Sequence, residues 1–241
     1  MDRKRLWQNI MGITMLLIVA LVAGRMGVMK EDGHQAAEAA GNHARGARQQ
    51  VVVIDSGHGG KDPGKIGVSG QEEKEINLQI AEKLKTYLEA ADVAVIMTRE
   101  RDMGLYKESD SHKKSADMKK RCQIINEANP ALAVSIHQNS YHDESVSGAQ
   151  MFYYKNSEKG RLLAEILQKR FDYVWGKEGN KRSAKANDSY YLLLHVKAPI
   201  VIAECGFLSN GAEAAKLSEE EYQDRIAWTL HLGILQYLNT N

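Results

Sequence analysis

Three short stretches of this chain are apolar with almost no alternation: Val51-Val-Val-Ile-Asp55, Ala131–Ile136 and Ile200-Val-Ile-Ala203. A strand with one face in water alternates apolar and polar residues, whereas an unbroken run needs cover on both faces. Between these runs lie segments with helical period. From Glu73 to Ala90, Ile76, Ile80, Leu84 and Leu88 recur every four residues, with charged residues opposite. Further strands are predicted over Val93–Thr98 and Ala149–Tyr154. Further helices are predicted over Met118–Glu127, stopped by Pro130, and over Gly160–Trp175. Ser218 is the predicted cap of a last helix whose buried stripe is Ile226, Leu230 and Ile234. Strands alternating with helices predict a single three-layer α/β domain. Its sheet is mostly parallel or mixed, with helices on both faces, and in such folds sites collect just past the strand ends.

Within the 241 residues this domain takes 51–241. Residues 29–50 read as a linker, since the stretch Ala36-Ala-Glu-Ala-Ala-Gly41 has no apolar face to bury. Residues 1–28 carry a basic start, Met1-Asp-Arg-Lys-Arg5, followed by an apolar run from Ile10 to Gly24. That pattern is a cleaved signal peptide or an uncleaved membrane anchor, and either sends the remainder across the cytoplasmic membrane. The formal net charge is +1 with no basic stripe, so the chain is not expected to bind nucleic acid. The two cysteines, Cys122 and Cys205, have no Cys-x-x-Cys partner, which excludes a sulfur-bound structural zinc. They read as buried free thiols.

Polar residues able to hold a metal stand at the ends of the buried runs. His58 lies in a glycine-rich loop after the first strand, Glu73 at a helix start, His137 after the strand 131–136, and Glu204 after the strand 200–203. A catalytic zinc takes three His or carboxylate ligands and keeps one position open. His58, Glu73 and His137 could supply that set. Each taken alone also has an ordinary explanation: a loop or core histidine, or a first-turn glutamate facing the helix dipole. No His-Glu-x-x-His motif is present, so spacing does not decide.

The motifs decide more together. Ile54-Asp-Ser-Gly-His-Gly-Gly-Lys-Asp-Pro-Gly64, Glu73-Lys-Glu-Ile-Asn-Leu78, Thr98-Arg-Glu100, Ser135-Ile-His-Gln-Asn139 and Glu204-Cys-Gly-Phe-Leu-Ser-Asn210 appear in this order. They resemble the zinc-dependent N-acetylmuramoyl-L-alanine amidases of the type-3 family, over residues 51 to about 239. Tyr190-Tyr-Leu-Leu-Leu-His-Val-Lys-Ala-Pro199 and the compact size resemble the spore-cortex branch, the CwlD-type amidases. One departure is Ser56, where the family usually has proline; it removes no ligand.

The resemblance implies one Zn2+ per chain, held by His58, Glu73 and His137, with Glu204 as the catalytic glutamate. Glu73 rather than Glu72 aligns with the family's Glu-Lys pair. The implied substrate is peptidoglycan: glycan strands bearing stem peptides, cut between the lactyl group of N-acetylmuramic acid and L-alanine. The branch implies a role in cortex modification, muramic-δ-lactam formation and germination, on the cell-wall or spore-cortex side of the membrane. It leaves open a protein activator. Two rival readings are a zinc aminopeptidase or carboxypeptidase, which often needs extra carboxylates for a second metal, and a non-catalytic wall-binding module. Asp55 is a candidate partner for a ligand histidine or a loop cap. Arg99 is a candidate for a substrate carboxylate or a structural ion pair. Asn139 and Ser140 are expected along the cleft. His112, His142 and His195 are expected to be non-ligands, and Cys205 is not expected to be a nucleophile.

Overall fold

A computed structural model describes residues 50–176 and 182–240. The expected signal or anchor segment, and the linker through residue 49, lie outside the described residues. Among the described residues, no helix is long and apolar enough to cross a membrane.

Six strands form one sheet in the order β2-β1-β3-β6-β4-β5. They are β1 (Val51–Ser56), β2 (Ala94–Met97), β3 (Leu132–Asn139), β4 (Gln150–Tyr154), β5 (Lys185–Asn187) and β6 (Ile200–Phe207). The helices are α1 (Glu73–Ala90), α2 (Lys113–Ala128), α3 (Glu158–Trp175), α4 (Tyr191–His195), α5 (Gly211–Leu217) and α6 (Glu220–Leu238). Strands β2, β1, β3 and β6 are parallel, β4 runs antiparallel to β6, and β5 is parallel to β4. The sheet is therefore mixed, and its centre is the three unbroken apolar runs.

Successive strand residues point to opposite faces. On one face Val52, Ile54, Val134, Ile136, Val201 and Ala203 pack under α1, α3 and α6. On the other, Val53, Ala133, Ile200 and Ile202 pack under α2 and α4, through Cys122, Ile125, Leu192 and Leu193. Two apolar faces explain why these runs do not alternate. The predicted three-layer α/β architecture is the observed one.

Some boundaries differ from the sequence reading. Strands β3 and β6 run three and four residues past their apolar stretches, so His137 and Glu204 sit inside strands rather than beyond them. The ladder hydrogen bonds continue where the apolar pattern stops. Helix α2 starts five residues earlier than expected, on polar residues that its periodicity does not mark. Ser218 does not cap the last helix. It ends α5, donating from Oγ to the Ala214 carbonyl, and α6 starts after Glu219 without a side-chain cap. The short β5 and α4 carry too few residues for a periodic signal.

Candidate metal centre

The carboxyl ends of β1, β3 and β6 meet the start of α1, and the predicted polar residues converge there. On the parallel pair β3/β6, His137 and Glu204 are direct register partners. Register partners on neighbouring strands stand ~4.8 Å apart and project to the same side of the sheet. Glu73 is the first residue of α1 and is 3 % exposed. His58 stands just past β1, on the loop that crosses in front of the strand ends.

Glu73 is the hub. Its Oε1 lies 2.9 Å from His137 Nδ1, and its Oε2 lies 3.2 Å from His58 Nε2. The two imidazoles meet edge to face with centroids 4.9 Å apart. One donor atom from each of His58, Glu73 and His137 lies within 4.8 Å of the others, and this is the group found among the described residues that could hold a metal ion. Glu72 points elsewhere, to Lys74 at 3.0 Å. The Glu73 carboxylate also accepts from the backbone N–H of Lys65 (2.7 Å) and Gln138 (3.1 Å), and from Asn77 Nδ2 (3.3 Å). Such partners fix the orientation of a carboxylate before any ion arrives.

The loop leaves room for this cluster only because two positions lack a side chain. A Cβ on Gly57 would lie 2.3 Å from His137 Cε1. A Cβ on Gly64 would lie 2.6 Å from Glu73 Oε2 and 2.7 Å from His58 Cδ2, and its φ of +71° already favours glycine. His58 itself has φ +60°, a left-handed conformation uncommon for a non-glycine residue. A backbone outlier of this kind is a pointer to function.

The charge pattern suits a cation. Burial raises the pKa of Glu73, but its hydrogen bonds and attraction to His137 and His58 win, so the carboxyl is held well below its usual range. Burial works against a charged His58, yet Glu73 and Asp62 outweigh it and lift the imidazole to about 9. The proton that His58 holds toward Glu73 lies where a metal ion would compete with it. Glu204 differs. Burial is the largest effect and pushes its pKa up to about 7, with His137 opposing and Glu73 assisting. Among the described residues, its buried Oε2 has no hydrogen-bond partner. An unpaired buried carboxylate oxygen is costly and calls for a ligand or a proton.

Other sequence candidates moved. Among the described residues, Asp55 makes no hydrogen bond to His58 or His137 and does not cap the loop. It accepts from Thr98 Oγ1, Ser135 Oγ and Arg121 Nη1 at 2.7, 2.5 and 2.7 Å, because its strand position turns it under the sheet end. Asp62 is the partner of His58, through Nδ1 at 2.9 Å. Asp62 stands four residues after His58 in the same glycine-rich run, so its nearness in sequence is the one mark of this pairing. Among the described residues, Arg99 neither lines the cleft nor forms an ion pair with a carboxylate. It is 2 % exposed and donates to the carbonyls of Ser56, Gly57, Arg101 and Lys74. Asn139 and Ser140 do line the cleft, which has a volume of about 680 Å3 and also opens onto Glu204, Tyr190 and Arg121. His112, His142 and His195 stay outside the cluster. Both cysteines are free and buried, and burial pushes the Cys205 thiol up, away from thiolate chemistry.

A buried carboxylate–imidazole cluster at the carboxyl ends of parallel strands, with a second carboxyl beside it in an open cleft, defines a hydrolase-type site on an α/β sheet. The family model described as N-acetylmuramoyl-L-alanine amidase, Amidase_3, matches residues 52–236, and the chain belongs to that family. It is 36 % identical over 191 residues to the germination-specific N-acetylmuramoyl-L-alanine amidase of Bacillus subtilis (strain 168), covering 78 % of this chain and 79 % of that protein. Among solved structures it is similar to the CwlD amidase from Clostridioides difficile in complex with the GerS lipoprotein. The identity there is 38 % and the TM-score 0.77, over 80 % of this chain and 100 % of that one. The catalytic domain of the amidase CwlV from Bacillus (Paenibacillus) polymyxa var. colistinus is 30 % identical with a TM-score of 0.70, covering 80 % and 100 %.

Proposed function

We propose that this amidase is zinc-dependent, with His58, Glu73 and His137 as the ligands and Glu204 as the proton carrier. It hydrolyses the amide between the lactyl group of N-acetylmuramic acid and L-alanine. The observation that carries the reading is the Glu204 carboxyl: register partner of His137, buried, with an orphaned Oε2 and a pKa of about 7. A group poised near neutrality takes and returns a proton at working pH. The two-histidine, one-carboxylate set is a common catalytic zinc donor set, and the space that Gly57 and Gly64 leave keeps the donors together.

When bound, zinc supplies the Lewis acid that polarises the amide carbonyl and activates water. The chain's own residues do the remainder. Asp62 at Nδ1 orients His58, so that Nε2 is the nitrogen turned toward Glu73. Gln138 N–H and Asn77 hold Glu73 Oε1, and Lys65 N–H holds Oε2. Glu204 accepts the proton of the attacking water and returns it to the alanine nitrogen, which is a poor leaving group until protonated. The cleft is open, as a polymeric substrate requires, and Tyr190 and Tyr191 form part of its wall.

Residues 51–241 form the catalytic domain in this reading, and residues 1–28 export or anchor it on the wall side of the membrane. The germination-specific relative and the CwlD neighbour support a role in spore cortex modification, leading to muramic-δ-lactam. The CwlD neighbour was solved with a lipoprotein, which supports a protein partner here as well.

Digestion of purified peptidoglycan tests the reading. New amino-terminal L-alanine, with the glycan strand intact, is the expected product. Release of terminal amino acids instead would make the chain a peptidase, and no product at all would favour a wall-binding module. Zinc content should fall in His58→Ala, and turnover should be lost in Glu204→Ala.

A further inference from the structure

We propose that Arg121 is a positioning residue for the metal site. Its guanidinium holds the backbone of the His58 loop and keeps His58 in the conformation that turns its imidazole to Glu73. This rests on the reading of His58 as a ligand.

Three consecutive carbonyls, those of Ser56, Gly57 and His58, are all taken by side-chain donors. Arg121 Nη1 donates to Ser56 O and Nη2 to His58 O, both at 2.6 Å. Arg99 donates to Ser56 O from Nε and to Gly57 O from Nη2, both at 3.0 Å, and Asn77 Nδ2 reaches Gly57 O at 3.2 Å. The peptide planes on either side of His58 are therefore both held, the one before it through Gly57 O and the one after it through His58 O. That matters because His58 sits at φ +60°, where an L-residue is disfavoured and would relax if released.

Arg121 is itself fixed. It is 1 % exposed and pairs with Asp55 Oδ1 at 2.7 Å and with Asp117 Oδ2 at 2.5 Å. Asp55 is held in turn by Thr98 and Ser135, and Asp117 by the N–H of Leu105. One planar fork thus spans two carboxylates and two carbonyls. A lysine keeps the charge but offers one nitrogen, so it cannot reach all four acceptors. A role confined to stability would lower the melting temperature alone, whereas a positioning device also loosens the zinc site.

The test is zinc affinity of the full chain, stripped of metal and titrated against a competing chelator dye at 25 °C, with melting followed separately. Arg121→Lys is expected to bind zinc about 10–100-fold more weakly, the range seen when a ligand's supporting partner is lost. Leu230→Ala, a fully buried position on α6 away from the loop, serves as the destabilised control, and its zinc affinity should match the parent. Asp117→Asn, which loosens one side of the fork, should weaken zinc in the same direction and covers the case in which Arg121→Lys does not fold. Parent-like affinity in the folded Arg121 or Asp117 variant, or an equal loss in Leu230→Ala, overturns the proposal. His58→Ala run alongside separates the two readings. Weakened zinc there with unchanged binding in Arg121→Lys removes only the positioning role. Unchanged binding in both removes the ligand assignment and the positioning role with it.

Discussion

Gly57→Ala is the sharpest perturbation available, because its effect follows from geometry alone. Gly57 does not have a positive φ, so alanine suffers no backbone strain there. The cost is contact: the new methyl would lie 2.3 Å from His137 Cε1 and 2.4 Å from its Nε2. Carbon atoms rest at roughly 3.5–4.0 Å, so something must retreat by more than about 1 Å. The backbone of Gly57 is pinned, donating to Ile136 O at 3.1 Å and accepting from Arg99 and Asn77. The imidazole moves instead and loses its 2.9 Å contact with Glu73 Oε1. Overpacking of this size costs about 1–3 kcal/mol. For a domain of this length that lowers the melting temperature by roughly 2–12 °C. The functional loss is larger, because an ångström of misplacement costs on the order of 100-fold in rate, and metal distances tolerate only ~0.2 Å. Zinc affinity by chelator competition and release of L-alanine amino termini from purified peptidoglycan measure the two effects. A Gly57→Ala protein that binds zinc and cleaves like the parent would refute the reasoning, since His137 could then not be a ligand held where the structure holds it.

Four further outcomes follow from the same geometry. Glu204→Gln should keep zinc and lower kcat by about 100- to 10,000-fold, the usual worth of a general acid–base group; loss of zinc instead would make Glu204 a ligand. Removing metal with a chelator should abolish activity and lower the melting temperature, and zinc should restore both; full activity in the metal-free protein would end the zinc reading. Zinc uptake at neutral pH should release protons, because the metal-free His58 titrates near 9, and calorimetry in buffers of different ionisation enthalpy reads that number. The same raised pKa stabilises the metal-free fold fully below 6.5 and is lost as pH rises to about 9, so its melting temperature should fall across that window, with a flat profile as the contrary result.

How far the residues alone could lead varied with the kind of signal. The runs 51–55, 131–136 and 200–203 predicted buried strands, because burial on two faces leaves a mark that survives in one dimension. Their true ends did not show, since β3 and β6 continue on backbone hydrogen bonds through His137 and Glu204, whose polar side chains hide the strand. Ser218 was misread for a related reason: a capping residue type marks a helix boundary but not which helix owns it. The His58, Glu73, His137 and Glu204 motifs were legible through family resemblance. Asp62 stands in the same glycine-rich run, but its pairing with His58 is set by the turn of the loop and not by the motif. Arg121 and Asp117 carried no signal at all, because a charged residue on a polar helix looks like a solvated one until the fold buries it.

Periodicity was thus enough to predict the layer architecture, and the resemblance carried by the ordered motifs pointed to the family that the match over residues 52–236 shows, since both depend on local pattern. Only the three-dimensional fold could bring together residues 58, 73, 137 and 204, through strand register and the start of α1. Only it could turn Asp55, Asp117 and two arginines into a support beneath the His58 loop. The physical reason is that burial and charge pairing are properties of neighbours in space, and chain order says little about who those neighbours will be.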